Sequence, residues 1–241
     1  MKVLAICNQK GGVGKTTCTI NLGAGLHLAG GRVLLVDFDP QGSLTKWTGC
    51  QAGTWTAYEV LTGTVGLQDA VTTTAGGYDV LPADIRLTKA TEKNRPQALR
   101  KALKGARYDY VLIDCPPSLS PLTTAGLTAA DAVIIPMTGE SSALDAVAAL
   151  LKTVAVVREE LNPQLEVAGV VFTKFSRPGK TAKEVLANTK AYLPVFDTKI
   201  RVNGMLDTAQ GNGQDIFTYN PKCNGAADFA ALAIELVKKG Y

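Results

Sequence analysis

Two lysines bracket a run of glycines in the segment Asn8-Gln9-Lys10-Gly11-Gly12-Val13-Gly14-Lys15-Thr16-Thr17. A glycine-rich backbone can curl until successive N–H groups converge on one anion, and a helix opening at that point adds the partial positive charge of its N-terminus. Lysine and a hydroxyl residue at the end of such a loop are the groups that hold a polyphosphate and its cation. Lys15 is expected to reach the β- and γ-phosphates, and the Thr16 hydroxyl to ligate Mg²⁺. The common spelling of this loop, G-x-x-x-x-G-K-[ST], asks for glycine at position 9. Gln9 stands there instead, and a second lysine, Lys10, precedes paired glycines. Lys10, Gly11, Gly12, Val13, Gly14, Lys15, Thr16 and Thr17 together form the expected phosphate cradle.

Carboxylates follow two apolar runs. Asp37 and Asp39 come directly after Val33-Leu34-Leu35-Val36, and Asp114 directly after Tyr110-Val111-Leu112-Ile113. An acid at a strand end is often an ordinary helix cap. Three of them downstream of a phosphate loop are better explained by metal and water chemistry, with a carboxylate holding Mg²⁺ directly or through water.

The elements that must position these groups alternate along the chain. Val3 to Cys7, Arg32 to Val36, Tyr78 to Leu81, Tyr110 to Ile113, Ala132 to Pro136 and Val167 to Phe172 are short apolar runs of strand type. Helical patterns occupy Gly14 to Leu28, Pro117 to Ala130, Ser141 to Leu161, Thr181 to Tyr192 and Ala226 to Lys239. Continuous apolar strands separated by helices predict a doubly wound, mostly parallel α/β sheet flanked by helices, with ligands beyond the carboxyl ends of the strands. The candidate residues all fall at those ends. Gly204 to Asn224, rich in glycine and asparagine, is expected to be a loop over the site. No repeat or linker divides the chain, so residues 1–241 are expected to form one P-loop domain.

Composition narrows the classes. Of 241 residues, 46% are hydrophobic, enough for a well-buried core. No apolar run approaches the ~20 residues that span a bilayer, and the N-terminus runs straight into the loop without a cleavable leader, which points to the cytoplasm. The cysteines Cys7, Cys18, Cys50, Cys115 and Cys223 are dispersed, which argues against disulfides and structural zinc. His27 is the single histidine, so a histidine relay has nothing to build on. The net charge of +4 is unevenly spread: Arg86 to Arg107 carries eight basic residues against Glu92, and Lys174 to Lys190 carries five against Glu184. Such segments are either solvated helix faces or a surface for a polyanion.

The form K-G-G-x-G-K-T-T is the deviant Walker A signature of the ParA/MinD family of P-loop ATPases, which this chain resembles over nearly its whole length. The resemblance extends to Asp37-Phe38-Asp39-Pro40-Gln41-Gly42, Asp114-Cys115-Pro116-Pro117, Val133-Ile134-Ile135-Pro136, and the stretch from Leu161-Asn162-Pro163 to Gly169-Val170-Val171. It implies ATP and Mg²⁺ as cofactors and an ATP-sandwich homodimer. In such a dimer Lys10 crosses the interface to the partner's phosphates. Lys15 serves its own subunit, Thr16 and Asp114 serve the metal, Asp39 positions the attacking water beside the metal, and Asp37 orders the outer shell. Pro117, Thr173, Arg201 and Asn203 complete the nucleotide contacts that the resemblance implies. Hydrolysis is expected to be slow alone and raised by a partner, a ParB-like centromere-binding or adaptor protein.

Within the family the chain is most similar to Soj-type partition ATPases without an N-terminal DNA-binding domain. The resemblance implies non-specific DNA binding through Arg177, Lys180 and Lys183, and hence a nucleoid-associated location. The presumed strand Lys199 to Met205 departs from the family by lacking its usual proline and second arginine. Alternatives are a MinD-like membrane-cycling ATPase, which needs an amphipathic helix beyond the fold, and a relative that positions a protein cargo on the nucleoid. An iron–sulfur scaffold of the same superfamily would need paired cysteines that Cys115 and Cys223 do not supply. No membrane partner is expected.

Overall fold

Short β-rich runs buried on both faces dictate a sheet that helices cover from both sides. The computed structural model describes residues 1–51, 53–91, 95–176 and 179–241. In chain order the elements are β1 (Lys2–Ile6), α1 (Lys15–Leu28), β2 (Val33–Asp37), α2 (Ser43–Trp47), α3 (Ala57–Thr62), α4 (Leu67–Ala70), β3 (Thr72–Thr73) and β4 (Asp79–Leu81). A 3-10 helix over Ile85–Thr91 follows, then α5 (Ala98–Ala102), β5 (Tyr110–Asp114), α6 (Pro121–Ala129), β6 (Ala132–Met137) and α7 (Ser142–Glu160). The chain continues through β7 (Glu166–Phe172), α8 (Lys180–Tyr192), α9 (Gly204–Gly211), α10 (Ile216–Tyr219) and α11 (Asn224–Lys238).

The described strands form one seven-stranded sheet in the order β3-β4-β2-β5-β1-β6-β7, parallel except for β3. The doubly wound, mostly parallel arrangement expected from the sequence is therefore the one observed. Alternating side chains feed two cores. Val3, Ala5, Val36, Val111 and Ile113 join the layer of α3, α5, α6 and α7. Leu4, Ile6, Leu35, Leu112 and Ile134 join the layer of α1 and α11. From β1 the chain crosses to β2 on one side, whereas from β5 it crosses over β1 to β6 on the other. That reversal opens a crevice at the carboxyl ends of β1 and β5.

Helix α1 is buried nearly all round, between the sheet and α11, and its glycines permit the approach. A Cβ on Gly25 would stand 3.3 Å from the Ala233 Cβ, and one on Gly23 would overlap the Leu35 side chain.

The structure corrects three boundaries. Gly204 to Asn224 is not a loop but holds α9 and α10. Asn203, just before it, and Asp215 stand at helix starts, where their side chains satisfy free backbone N–H groups. Asn203 accepts from Met205 N–H at 2.9 Å, and Asp215 accepts from Phe217 and Thr218 N–H at 2.9 Å. Lys199 to Met205 is not a strand; a single bridge links Phe175 to Arg201 before α9 begins. The helix placed at Pro117 starts instead at Pro121, where Ser120 caps it and proline fills a first-turn position that needs no N–H.

Helix α2 follows Asp39 and leans on the end of α9 through a backbone contact at Gly49 and Gly213. Both have left-handed backbone angles, with φ of 70° and 68°. A Cβ on Gly49 would lie 2.8 Å from the Gly213 carbonyl oxygen. Gly49→Ala should therefore cost about 2–3 kcal/mol, combining backbone strain with a contact that neither chain segment can relieve. Urea unfolding of the two proteins measures it, and a loss under ~0.5 kcal/mol would show that the segments separate readily.

Candidate nucleotide site

The loop between β1 and α1 is shaped by Gly12 and Gly14, with φ of 71° and 85°, angles that side chains with a Cβ rarely adopt. Gly14 is also the N-cap of α1, whose first turn holds no acid to offset its positive end. Buried Asn8 fastens the loop's entry, donating from Nδ2 to Pro136 O at 2.7 Å and accepting from Lys10 N–H at 3.0 Å. Thr173 fastens its middle, donating its hydroxyl to Val13 O at 2.8 Å. Lys15 is only 8% exposed and curls beneath the loop, with Nζ 3.3 Å from Lys10 O. A cavity of about 270 Å³ opens above, walled by the loop from Gly11 to Thr17 together with Asp39, Trp47, Pro117, Lys174, Asp207 and Gln210. A neighbouring hollow of about 280 Å³ continues from Gly14 and Thr17 past Thr173, Lys174, Arg201 and Asn203 to Phe229.

Opposite the lysine stand the acids. Parallel pairing of β2 with β5 sets Asp37 beside Asp114, and both are buried. Burial, followed by the charge of Asp37, pushes the Asp114 carboxyl up to about 8. Burial also raises Asp37, to about 6, against the opposing pull of its hydrogen bonds to Thr45. Two adjacent buried carboxylates are costly without a cation. Asp114 faces the Thr16 and Thr19 hydroxyls and the Lys15 charge, an oxygen-rich setting that fits a hard divalent ion. Among the described residues no cluster of three His, Cys, Asp or Glu side chains forms a cage. Mg²⁺ takes one or two protein oxygens and leaves the rest to phosphate and water.

Asp37 accepts hydrogen bonds from its own chain through both carboxylate oxygens. One of its oxygens accepts from the Thr45 N–H and hydroxyl at 2.8 and 2.7 Å, and the other from Asp39 N–H at 3.2 Å. Its carboxylate thus shapes the turn that presents half-buried Asp39, whose own Oδ1 accepts from Gln41 N–H at 3.0 Å.

Lys10 leaves the loop in another direction. Its ammonium pairs with Glu140 and donates to Ser142 Oγ at 2.7 Å, at the start of α7. The pair is partly open to solvent, with side-chain exposures of 26% and 66%, so water screens it and it holds Lys10 only weakly. Next to Glu140, Gly139 touches the first turn of α8 so closely that a Cβ there would come within 2.9 Å of the Ala182 Cβ.

The residues expected at the base and at DNA are distributed unevenly. Pro117 is exposed at the cavity mouth. The Arg201 guanidinium is bound by Asp228 through Nε at 3.0 Å and Nη2 at 2.6 Å, and the Asn203 side chain caps α9. Lys180 and Lys183 are exposed on the first turn of α8. Arg177 lies outside the described residues. In the other basic segment Arg86 is neutralised by Asp84 and Glu59.

Comparison with known proteins accords with this geometry. The family described as AAA domain matches residues 1–167. A chromosome partitioning protein ParA of Caulobacter vibrioides is 41% identical over 254 residues, spanning 99% of this chain and 95% of that protein. The chain belongs to the ParA family of P-loop ATPases. Its ParA-family fold is similar to a structure named cobyrinic acid a,c-diamide synthase from Mycobacterium smegmatis with bound ADP and magnesium, at 36% identity and a TM-score of 0.87, covering 99% and 94% of the two chains. The septum site-determining protein MinD of Pyrococcus horikoshii, complexed with Mg-ADP, matches at 27% identity and a TM-score of 0.82, covering 99% and 97%.

Several residues at this ParA-family cleft escape sequence reasoning. Gln210 donates to Thr17 Oγ1 at 2.8 Å and ties α9 to the phosphate loop. Asp207 lines both hollows, and Glu140 anchors Lys10. The signal for the first two was the cap at Asn203 followed by Met205-Leu206-Asp207-Thr208-Ala209-Gln210, a helix start obscured by the surrounding glycines.

Asp114→Asn removes a buried carboxyl whose ionisation opposes folding, while keeping its shape. We expect a higher melting temperature for the nucleotide-free protein, by roughly 2–5 °C, and loss of the added stabilisation that Mg²⁺ gives in the presence of ADP. Scanning calorimetry of both proteins with and without the ion tests this; full retention of the Mg²⁺ effect would remove Asp114 from the metal's surroundings.

Proposed function

We propose that the chain, acting as a single P-loop ATPase domain, is a ParA-type partition switch. It binds Mg-ATP at the loop, pairs into an ATP-sandwich dimer that holds non-specific DNA, and is released when a partner raises hydrolysis. The observation that carries this reading is the divergence of two lysines from one loop. Lys15 lies buried under the cradle of its own subunit, whereas Lys10 rests at the surface on a weak contact from which a second triphosphate can draw it.

A triphosphate between two protomers concentrates negative charge that Lys15 alone does not offset. Lys10 supplies the missing charge to the opposite subunit and makes ATP part of the interface, so that the dimer depends on the intact nucleotide. When bound, Mg²⁺ would supply the charge that offsets the phosphates. Thr16 and Asp114 would hold it from this chain, and Asp39 would orient the attacking water. Among the described residues no further group stands ready to activate that water, which favours slow turnover alone and acceleration by a ParB-like centromere-binding or adaptor protein.

Exposed Lys180 and Lys183, with Arg177 beside them in sequence, give the DNA face. This reading makes the protein cytoplasmic and nucleoid-associated, moving plasmid or chromosomal DNA; a protein cargo carried over the nucleoid would use the same biochemistry. A MinD-like membrane cycle is less well supported by the described residues. The apolar face of α11 is packed in the core through Phe229, Leu232 and Leu236, leaving Ile234 and Val237 as its exposed large apolar side chains.

DNA co-sedimentation with ATP, ADP or no nucleotide, at two salt concentrations, is the deciding measurement. Retention should require ATP and fall steeply with salt, and Lys180→Glu with Lys183→Glu should lower it about tenfold or more while ATP binding is unchanged. Lys15→Ala should abolish nucleotide binding and retention together. Equal retention with ADP would refute the switch.

Glu140→Gln frees Lys10 from its resting contact. ATP-dependent dimerisation, followed by analytical ultracentrifugation, should tighten by about two- to fivefold with ATP affinity of the monomer unaltered. A dimer no tighter than the parent's would show that Lys10 is not held back by Glu140.

A further inference from the structure

Among the described residues Lys174 is the one non-glycine residue in the left-handed backbone region, at φ 49°. Its neighbours impose that angle. Thr173 is fixed by its N–H to Met137 O at 2.8 Å and its hydroxyl to Val13 O at 2.8 Å. Phe175 is fixed on the other side by its N–H to Ile200 O at 2.9 Å and its carbonyl accepting from Val202 N–H at 3.2 Å. The single residue between them must turn the chain from the end of β7 toward the 199–203 segment. Glycine would do so without strain, yet a long cationic side chain stands there.

That side chain sits at a junction. Gly14, Thr17, Lys174 and Asp207 line both the phosphate-loop cavity and the adjoining hollow. A nucleotide whose β- and γ-phosphates occupy the loop, with its base in the hollow, must pass its α-phosphate through this point. Lys174 is exposed, and among the described residues it makes no ion pair or hydrogen bond. Its charge is felt by Glu140, whose carboxyl is held low first by Lys10 and also by Lys174. The cleft thus has a third cation free to engage an anion, beyond Lys10 and Lys15.

We propose that Lys174 is a nucleotide-binding residue that clamps the α-phosphate, the group shared by ATP and ADP. This rests on the nucleotide placement proposed above. It separates two tasks: Lys10 distinguishes the triphosphate by reaching the partner's terminal phosphates, while Lys174 retains nucleotide irrespective of its terminal phosphate. The strained backbone is kept because it aims the ammonium at the junction.

The test is titration of the full-length protein with ATP and ADP, by calorimetry, for Lys174→Met and Lys174→Gly, with Lys15→Ala as the control on placement. Both Lys174 variants should bind ATP and ADP about five- to tenfold more weakly and to equal degree, as for loss of one charge-assisted contact. Lys174→Gly should melt no lower than the parent, because the left-handed angle no longer opposes a side chain, so loss of binding will not reflect loss of fold. Unaltered affinity for both nucleotides, with Lys15→Ala inactive in binding, would overturn the α-phosphate contact and leave the site intact. A loss confined to ATP would also overturn it. Tight binding by Lys15→Ala would instead remove the nucleotide placement itself.

Discussion

The pairing of β5 with β1 on one side and β2 on the other is the constraint on which the cleft depends. In parallel register Ile6, Asp114 and Asp37 reach the same level, so the cationic loop that follows β1 and the acids that end β5 and β2 are brought to one edge of the sheet. Neither charge set is comfortable alone. The lysine is folded under its own loop, and the carboxylates are held away from water with their protonation favoured. A metal-bound polyphosphate carries both of the charges that this edge lacks, so its binding settles an electrostatic conflict built in by strand order.

Much of this was legible in the residues. The loop announced itself through the order of lysines and glycines, and the acids through their place after continuous apolar runs. The strand signals at Tyr110 to Ile113 and Ala132 to Pro136 survived almost unchanged because strands covered on both faces are necessarily apolar throughout. What failed was the region after residue 199. Asparagine and glycine there were read as turn formers, whereas Asn203 and Asp215 act as caps and Gly213 as the site of a backbone contact. Composition could not distinguish a residue that begins a helix from one that prevents it. The partners of Lys10 and Arg201 were equally invisible, since Glu140 and Asp228 lie 130 and 27 positions away along the chain.

The two supports of the loop differ in kind. Asn8 and Thr173 hold its backbone from β6 and β7 with hydrogen bonds buried from water, so the cradle is preformed before any ligand arrives. Gln210 and α2 approach from the opposite wall through shorter elements, joined at Gly49 and Gly213. The first wall is anchored in the sheet directly, and the second through α2, whose Thr45 donates to Asp37 at the end of β2.

Gly139 lies between the resting place of Lys10 and the first turn of α8. With no side chain at that point, the helix bearing Lys180 and Lys183 seats directly on the backbone that precedes Glu140. Any side chain at position 139 would therefore push against the first turn of α8, the turn that begins at Lys180.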